Sequence, residues 1–305
     1  MKPKIVIILG PTAVGKSALA LELAESLNGE IVNADSQQVY RYLDIGTGKP
    51  TMPEREHVRH HLIDVVSPDE EFNAATFRLL ASEVIYQIDE RQRRAIVCGG
   101  TGLYLTALTR GLFEGAGQNG EIRRDLETEI AKTGLDSVYR RLVAIDPTVA
   151  STIHPHDRSR TVRALEVYQL TGKPISQWQQ EHRFQEQSFE VLKLGLNLER
   201  ADLYERINRR SAAMIEAGFL DEVRGLVARG YSLDLKPLRS IGYAQMGRVI
   251  RGALTIDAAR EEMQQETRRL AKRQLTWFRG DKQVHWFHPT QTSEILKTLK
   301  QFFSR

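Results

Sequence analysis

Residues 5–9, Ile-Val-Ile-Ile-Leu, are apolar at every position and too few for a helix, the pattern of a strand buried on both faces. Residues 18–27 then space leucine and alanine as a helix would, and residues 30–34, Glu-Ile-Val-Asn-Ala, predict a second strand. Another apolar segment starts at residues 60–64, His-His-Leu-Ile-Asp. Residues 77–91 predict a helix with Leu80, Val84, Ile85 and Ile88 on one face. Residues 95–98, Ala-Ile-Val-Cys, complete the series as a short buried strand. Strands alternating with helices predict an α/β fold with a parallel, doubly wound sheet.

Beyond residue 114 the character changes. Residues 115–120, Gly-Ala-Gly-Gln-Asn-Gly, read as a joint, and residues 121–187 carry helical patterns without a clear strand. Residues 191–198, Val-Leu-Lys-Leu-Gly-Leu-Asn-Leu, alternate like a strand again. The simplest organisation is a core domain of residues 1–114 and 188–305, interrupted by a helical insertion domain of residues 115–187. Residues 203–279 are mainly helical, residues 284–287 predict a last strand and residues 293–303 a last helix.

Between the first strand and the first helix stands Gly10-Pro11-Thr12-Ala13-Val14-Gly15-Lys16-Ser17, which satisfies G-x-x-x-x-G-K-[ST]. Glycines let successive N–H groups turn into one concavity, and the helix starting there adds its positive dipole end. Lys16 is placed for outer phosphate oxygens and Ser17 for a magnesium ion bridging them. The sheet is therefore expected to be of the P-loop NTPase type, with this loop at its carboxyl edge. Asp35 follows the second strand, with Ser36, Gln37 and Gln38 beside it, and can serve as a general base or position a metal through water; spacing alone leaves both open. Asp64, after an apolar segment, competes as a Walker-B acid or is a loop acid. Gly99-Gly-Thr-Gly-Leu-Tyr104, whose hydroxyl-bearing Thr101 sits among glycines, is a second phosphate-contacting loop or a tight strand-to-helix turn.

Composition alters this picture little. A hydrophobic content of 41% over 305 residues supports a full core, and no apolar run is long enough to span a bilayer. The start Met-Lys-Pro-Lys leads directly into a core strand, so a signal segment is not expected and a cytoplasmic location is. The single cysteine, Cys98, fits a reducing compartment and a packed side chain. His60-His61 and His154-x-His156 lack matching ligand spacing for a metal.

Net charge is a mild +4, so the placement of the basic residues matters more than their sum. Arg123 and Arg124 open the insertion's first helix, and Arg158, Arg160 and Arg163 recur within it. Arg268, Arg269, Lys272, Arg273 and Arg279 follow near the C-terminus with no acid among them. Separate clusters interleaved with Tyr243, Trp277 and Phe278 point to nucleic acid, against the plainer reading of solvated faces. Met214, Phe219 and Trp178 read as core.

Taken together and in order, Gly-Pro-Thr-Ala-Val-Gly-Lys-Ser, Asp-Ser-Gln-Gln-Val-Tyr, Asp-Ile-Gly-Thr-Gly-Lys-Pro, His-His-Leu-Ile-Asp, Gly-Gly-Thr-Gly-Leu-Tyr, Arg163-Ala-Leu-Glu-Val, Ile241-Gly-Tyr and the segment from Arg268 to Arg279 resemble the bacterial tRNA dimethylallyltransferases. The resemblance covers nearly the whole chain. It implies transfer of a dimethylallyl group from dimethylallyl diphosphate to N6 of the adenosine 3′ of a tRNA anticodon, so the loop would cradle a prenyl diphosphate rather than ATP. By the same resemblance Asp35, Thr101 and Lys16 carry catalysis. Residues Gly10 to Ser17 and Arg210 hold the diphosphate, and Mg2+ binds at Ser17. Asp35, Ser36, Gln37, Gln38, Thr101, Arg123, Ser159, Arg160, Thr161, Val162 and Arg163 contact tRNA, the insertion gripping the anticodon stem-loop. A monomer is expected. One departure is Ala244, where many relatives carry a basic residue. The first hundred residues alone would fit a nucleotide or small-molecule kinase. From another class, a non-catalytic RNA-binding protein would not need Lys16, Ser17, Asp35 and Thr101 intact.

Overall fold

The computed structural model describes residues 2–112, 117–182 and 187–304. Its strands are β1 (Lys4–Leu9), β2 (Gly29–Asn33), β3 (His60–His61), β4 (Arg94–Gly99), β5 (Glu190–Leu196) and β6 (Val284–Phe287). They form one sheet in the order β3-β2-β4-β1-β5-β6, and every pairing is parallel. Ile7, at the centre, stands opposite Val97 on one side and Lys193 on the other.

Residues of β1 divide by the period of a strand. Ile5, Ile7 and Leu9 enter one core while Val6 and Ile8 enter the other, so the run had to be apolar throughout. Helices α1 (Lys16–Ser26), α2 (Met52–His57), α3 (Ala74–Glu90) and α4 (Gly102–Arg110) precede a helical segment, and α10 (Arg200–Glu216), α11 (Phe219–Ala228), α12 (Tyr243–Ile250), α13 (Ile256–Arg279) and α14 (Thr292–Ser304) follow it. The first core takes Phe77, Ala81, Ile85 and Ile88 of α3 with Phe219 of α11 and Met246 of α12. The second takes Leu19 and Leu23 of α1, Leu203 and Ile207 of α10, and Ile295 and Leu299 of α14. Helices therefore cover both faces of the sheet, the expected P-loop arrangement.

The predicted strand at residues 60–64 contracts to two residues. Leu62 and Asp64 adopt left-handed backbone, with φ of 61° and 57°, which ends the extended run. Asp64 is then held by Lys49 (2.6 Å) and Arg55 (2.7 Å).

The chain divides into two compact units, Met1–Thr109 with Gln187–Arg305, and Arg110–Glu186. Of the joint expected at residues 115–120, residues 115 and 116 lie outside the described residues, and Gly120 already belongs to a helix. The second unit consists of α5 (Gly120–Thr133), α6 (Leu135–Ile145), α7 (Pro147–Ala150), α8 (Arg158–Thr171) and α9 (Ile175–His182) around Leu126, Val138, Leu142, Val162 and Leu165. Its boundaries follow local chemistry. Asn119 accepts from Glu121 and Ile122 N–H to cap α5, Asp157 accepts from Arg160 N–H to cap α8, and Gly134 and Gly172 terminate helices with positive φ.

Candidate active site

Where β1 ends, Gly10 turns with φ 144°, and a Cβ there would sit 2.6 Å from the carbonyl oxygen of Leu196 on β5. Only glycine allows the chain to leave the sheet so closely. Ala13 (φ 65°) and Gly15 (φ 108°) continue the turn, and α1 starts at Lys16, so the loop's amides and the helix N-terminus face one concavity. Val14 is fully buried in the core below and offers only its backbone. The Lys16 ammonium donates to the Pro11 carbonyl at 2.7 Å. Burial pulls its pKa down to about 8, further depressed by Arg210 and opposed by the Asp35 charge.

A cavity of about 400 Å³ opens on this loop. Lys16 and Ser17 line it together with Asp35, Ser36, Gln37 and Gln38 from the end of β2, Gly99 and Gly100 from the end of β4, and Arg210 of α10. The sheet topology explains the gathering. In parallel strands the carboxyl ends lie on one edge, so loops distant in sequence converge there.

Asp35 is the one carboxylate among the lining residues, and its Oδ1 accepts from the amides of Gln37 (2.8 Å) and Gln38 (3.4 Å). Thr101 Oγ1 accepts from Ser36 N–H at 3.0 Å, tying the loop after β4 to the loop after β2. Gly99 is obligatory at this junction, since a Cβ would lie 2.1 Å from the Ala34 carbonyl oxygen. The amide oxygen of Gln37 is buried with no donor among the described atoms. Cys98 also lines the cavity, and burial pushes its thiol up to about 11, keeping it neutral.

Arg210 donates to Thr12 Oγ1 (3.4 Å) and to the Thr47 carbonyl (3.1 Å). Burial lowers its pKa and the Asp35 charge opposes that. One turn earlier, Arg206 donates to the Val14 carbonyl at 3.4 Å, so α10 sets two guanidiniums against the phosphate loop. Sequence reasoning named Arg210 by resemblance and passed over Arg206, although their i, i+4 spacing places both on one helix face. Gln274 of α13 was also missed. Its amide oxygen accepts from Thr12 N–H (2.9 Å) and its nitrogen donates to the Gly100 carbonyl (3.0 Å), strapping the phosphate loop to the loop after β4.

The Asp44–Lys49 loop forms a further wall. Glu222 of α11 accepts from the amides of Asp44 (3.1 Å), Ile45 (2.6 Å) and Gly46 (3.3 Å) and from the Tyr243 hydroxyl (2.6 Å). Gln38 donates to the Thr47 and Gly48 carbonyls, both at 3.2 Å. Met214 packs against the first core, as expected, and also lines the cavity. Asp64 does not line it. Burial raises its pKa, yet hydrogen bonds from Lys49 and Arg55 outweigh this and keep it ionised as the anchor of the Asp44–Lys49 loop, which removes it as a Walker-B acid.

Within the insertion unit, Glu166 is fully buried and accepts from Arg123 (2.8 and 3.0 Å), Arg163 (2.8 Å) and Asn119 N–H (2.8 Å). These donors overcome the cost of burial and hold its pKa down. Arg160 pairs with Asp157 at 3.1 Å and is 63% exposed in its side chain. Thr161 and Val162 are buried at 0% and 6%, so their side chains serve this unit's core, not a surface that RNA could touch; Arg160 and Arg163 flank them toward the exterior, and Ser159 is exposed.

The basic C-terminal cluster resolves likewise. Arg268 bonds Asn208 at 2.7 Å and Arg269 bonds Glu266, whereas Lys272, Arg273 and Arg279 are exposed and make no ion pair among the described residues. Phe278 (3% exposed) belongs to the core and not to a nucleic-acid face, because Ala271, Gln274 and Phe278 share the inward stripe of α13, while Tyr243 of α12 (1%) packs in the first core and also lines the cavity. Trp277 stays on the surface.

A parallel sheet of the P-loop type, with an anion cradle and a carboxylate sharing one cavity, defines a P-loop-fold protein built to act on a phosphate or diphosphate compound. The family model described as IPP transferase matches residues 38–281, and the chain belongs to that family. A tRNA dimethylallyltransferase of Geobacter metallireducens is 49% identical over 99% of this chain and 98% of its own length, and one from Syntrophobacter fumaroxidans is 51% identical over 97% and 86%. Among solved structures, the tRNA isopentenylpyrophosphate transferase of Bacillus halodurans is 39% identical, covers 99% of this chain and 97% of its own, and superimposes with a TM-score of 0.73. A eukaryotic dimethylallyltransferase acting on tRNA is 30% identical, with a TM-score of 0.77 over 95% of this chain and 75% of its own. Among the described residues no helix is long and apolar enough to cross a membrane.

Proposed function

We propose that the chain transfers a dimethylallyl group from dimethylallyl diphosphate to the exocyclic N6 of the adenosine 3′ of a tRNA anticodon. The observation that carries this reading is that Lys16, Ser17 and Arg210 share a single cavity with Asp35. A phosphate cradle without a facing base would suit binding alone; a base at the same cavity supplies the second half of a group transfer.

In the reaction the N6 nitrogen attacks C1 of the dimethylallyl group. The C1–O bond breaks and its electron pair leaves with diphosphate. An exocyclic aromatic amine is a weak nucleophile, so the Asp35 carboxylate takes the N6 proton as the new bond forms. Thr101, bonded to Ser36 N–H, fixes the loop beside Asp35, and the buried Gln37 amide oxygen is free to accept from the base. Lys16, Arg210 and the loop amides stabilise the charge that accumulates on the departing diphosphate. The Ser17 hydroxyl lines the cavity, and with a single lining carboxylate present a magnesium ion would take most of its ligands from phosphate oxygens and water, the coordination this hard cation favours. Such an ion would neutralise part of the leaving group's charge.

Chemistry on a base requires its extrusion from the stack. Arg123, Ser159, Arg160 and Arg163 of the insertion are the surface we assign to the anticodon stem-loop. Every residue used lies on one chain, so the reading needs no second copy, and it places the activity in the cytoplasm, where tRNA is modified. Incubation with labelled dimethylallyl diphosphate, magnesium and either unmodified tRNA or AMP, followed by nucleoside digestion, tests it. Label in the tRNA adenosine is expected. Its absence overturns the reading, and label in AMP alone would reassign the acceptor.

A further inference from the structure

We propose that Trp277 is a stacking platform for the nucleobase adjoining the target adenosine, at the rim of the cavity; this rests on the function proposed above. Trp277 lies on α13 three residues after Gln274, a lining residue that bonds both Thr12 and Gly100, yet Trp277 itself does not line the cavity. It is 47% exposed.

Its position is fixed on the inner side. A Cβ on Gly102 would stand 2.5 Å from both Cδ1 and Nε1 of the indole, so the ring lies on the bare backbone of the residue next to Thr101. Thr101 in turn holds Ser36, which neighbours Asp35. Leu103, in the first turn of α4, is 50% exposed. Along α13 the exposed Lys272, Arg273 and Arg279 have no ion-pair partner among the described residues.

A rigid aromatic at a cavity mouth, with unneutralised cations on the same helix, has the chemistry that binds unpaired nucleotides: cations follow the backbone and the ring covers a base face. The need is specific. Drawing one adenine out of the loop deprives its neighbour of a stacking partner, and a fixed indole restores one. Its neighbour Phe278 is buried, at 3% exposure, and cannot fill this role.

The test compares Trp277→Ala, Trp277→Leu and Trp277→Phe with the unaltered protein, using steady-state transfer to tRNA and the fluorescence of 2-aminopurine placed beside the target adenosine. Expected are a rise of roughly 5- to 150-fold in KM for tRNA in the alanine and leucine variants, an unchanged KM for dimethylallyl diphosphate, loss of the 2-aminopurine quenching seen on binding, and recovery of most of the effect by phenylalanine. Trp277→Leu preserves apolar cover for Gly102. If it behaves like the unaltered protein, or if the alanine variant loses thermal stability with KM and quenching unchanged, the ring is only a cover for Gly102 and the proposal falls. Failure of the unaltered protein to label tRNA would instead overturn the proposed function.

Discussion

Glu222 does not itself line the cavity but holds two residues that do, Gly46 and Tyr243, and its removal should disable the site. Glu222→Ala strips the acceptor from three backbone amides and the Tyr243 hydroxyl. Asp44 is exposed and Gly46 half-buried, so their amides can rehydrate at small cost. The Ile45 amide and the Tyr243 hydroxyl, both bonded at 2.6 Å, lose the shortest bonds, and Tyr243 at 1% exposure cannot turn to water. The stranded Tyr243 hydroxyl at ~1–3 kcal/mol and the half-buried Ile45 amide at about 1 kcal/mol give a loss of about 2–4 kcal/mol. At ~2–4 °C per kcal/mol for a unit of this size, the melting midpoint should fall by roughly 4–16 °C. The loop then loosens, and with it the Thr47 carbonyl that anchors Arg210 and Gln38. Small misplacements of a substrate-binding group cost ~100-fold in rate. We therefore expect kcat/KM for dimethylallyl diphosphate to drop by at least about tenfold, assayed well below the new midpoint by thermal melts and single-turnover transfer. Glu222→Gln keeps one acceptor oxygen and should lose about half as much. The reasoning is refuted if the midpoint is unchanged, or if it falls while kcat/KM for the prenyl diphosphate does not.

Other outcomes follow from the site. Asp35→Asn keeps an oxygen for the Gln37 amide but cannot take a proton; it should abolish transfer while tRNA affinity, measured by filter binding, stays within about threefold, and loss of both would make Asp35 structural. Lys16 has its pKa pulled down to about 8, so below that pH it meets the diphosphate charged; above it, binding must first recruit a proton. Affinity for dimethylallyl diphosphate should therefore decline above pH 8, with proton uptake visible by calorimetry in buffers of different ionisation enthalpy, and a flat profile would contradict this. Arg160→Glu should weaken tRNA binding and flatten its salt dependence without altering stability, since Arg160 is exposed and its pair with Asp157 is superficial. Arg163→Glu should in addition destabilise the insertion by ~3–5 kcal/mol, because it sets a second carboxylate against the buried Glu166. Equal melting points for the two variants would rule out that difference.

Much of this architecture could be read from patterns that local physics imposes. A parallel strand buried on both faces must be apolar at consecutive positions, which is why residues 5–9 and 95–98 stood out; residues 284–287, an edge strand that is only partly buried, were legible from their short run of β-prone Val, Trp and Phe. The phosphate loop was equally legible, because an anion nest needs glycines at fixed spacing before a helix. The strand at residues 60–64 was misjudged in length for a non-local reason. Lys49 and Arg55, from a preceding loop and helix, capture Asp64 in a left-handed turn that no pattern within residues 60–64 announces.

Sequence by itself determined the chemistry on offer: the cradle at Gly10 to Ser17, the carboxylate of Asp35, the hydroxyl of Thr101, the arginines of the insertion. Tertiary structure decided which of these meet and which are spent internally. It brought Arg206 and Gln274 onto a loop some 190 and 260 positions away, used Glu222 to clamp a wall of the cavity, and turned Thr161, Val162, Tyr243 and Phe278 inward. The physical reason is that side-chain type and spacing are local properties, whereas convergence at the carboxyl edge of a parallel sheet, and burial against a partner helix, depend on strand order and packing that are set only when the whole chain has folded.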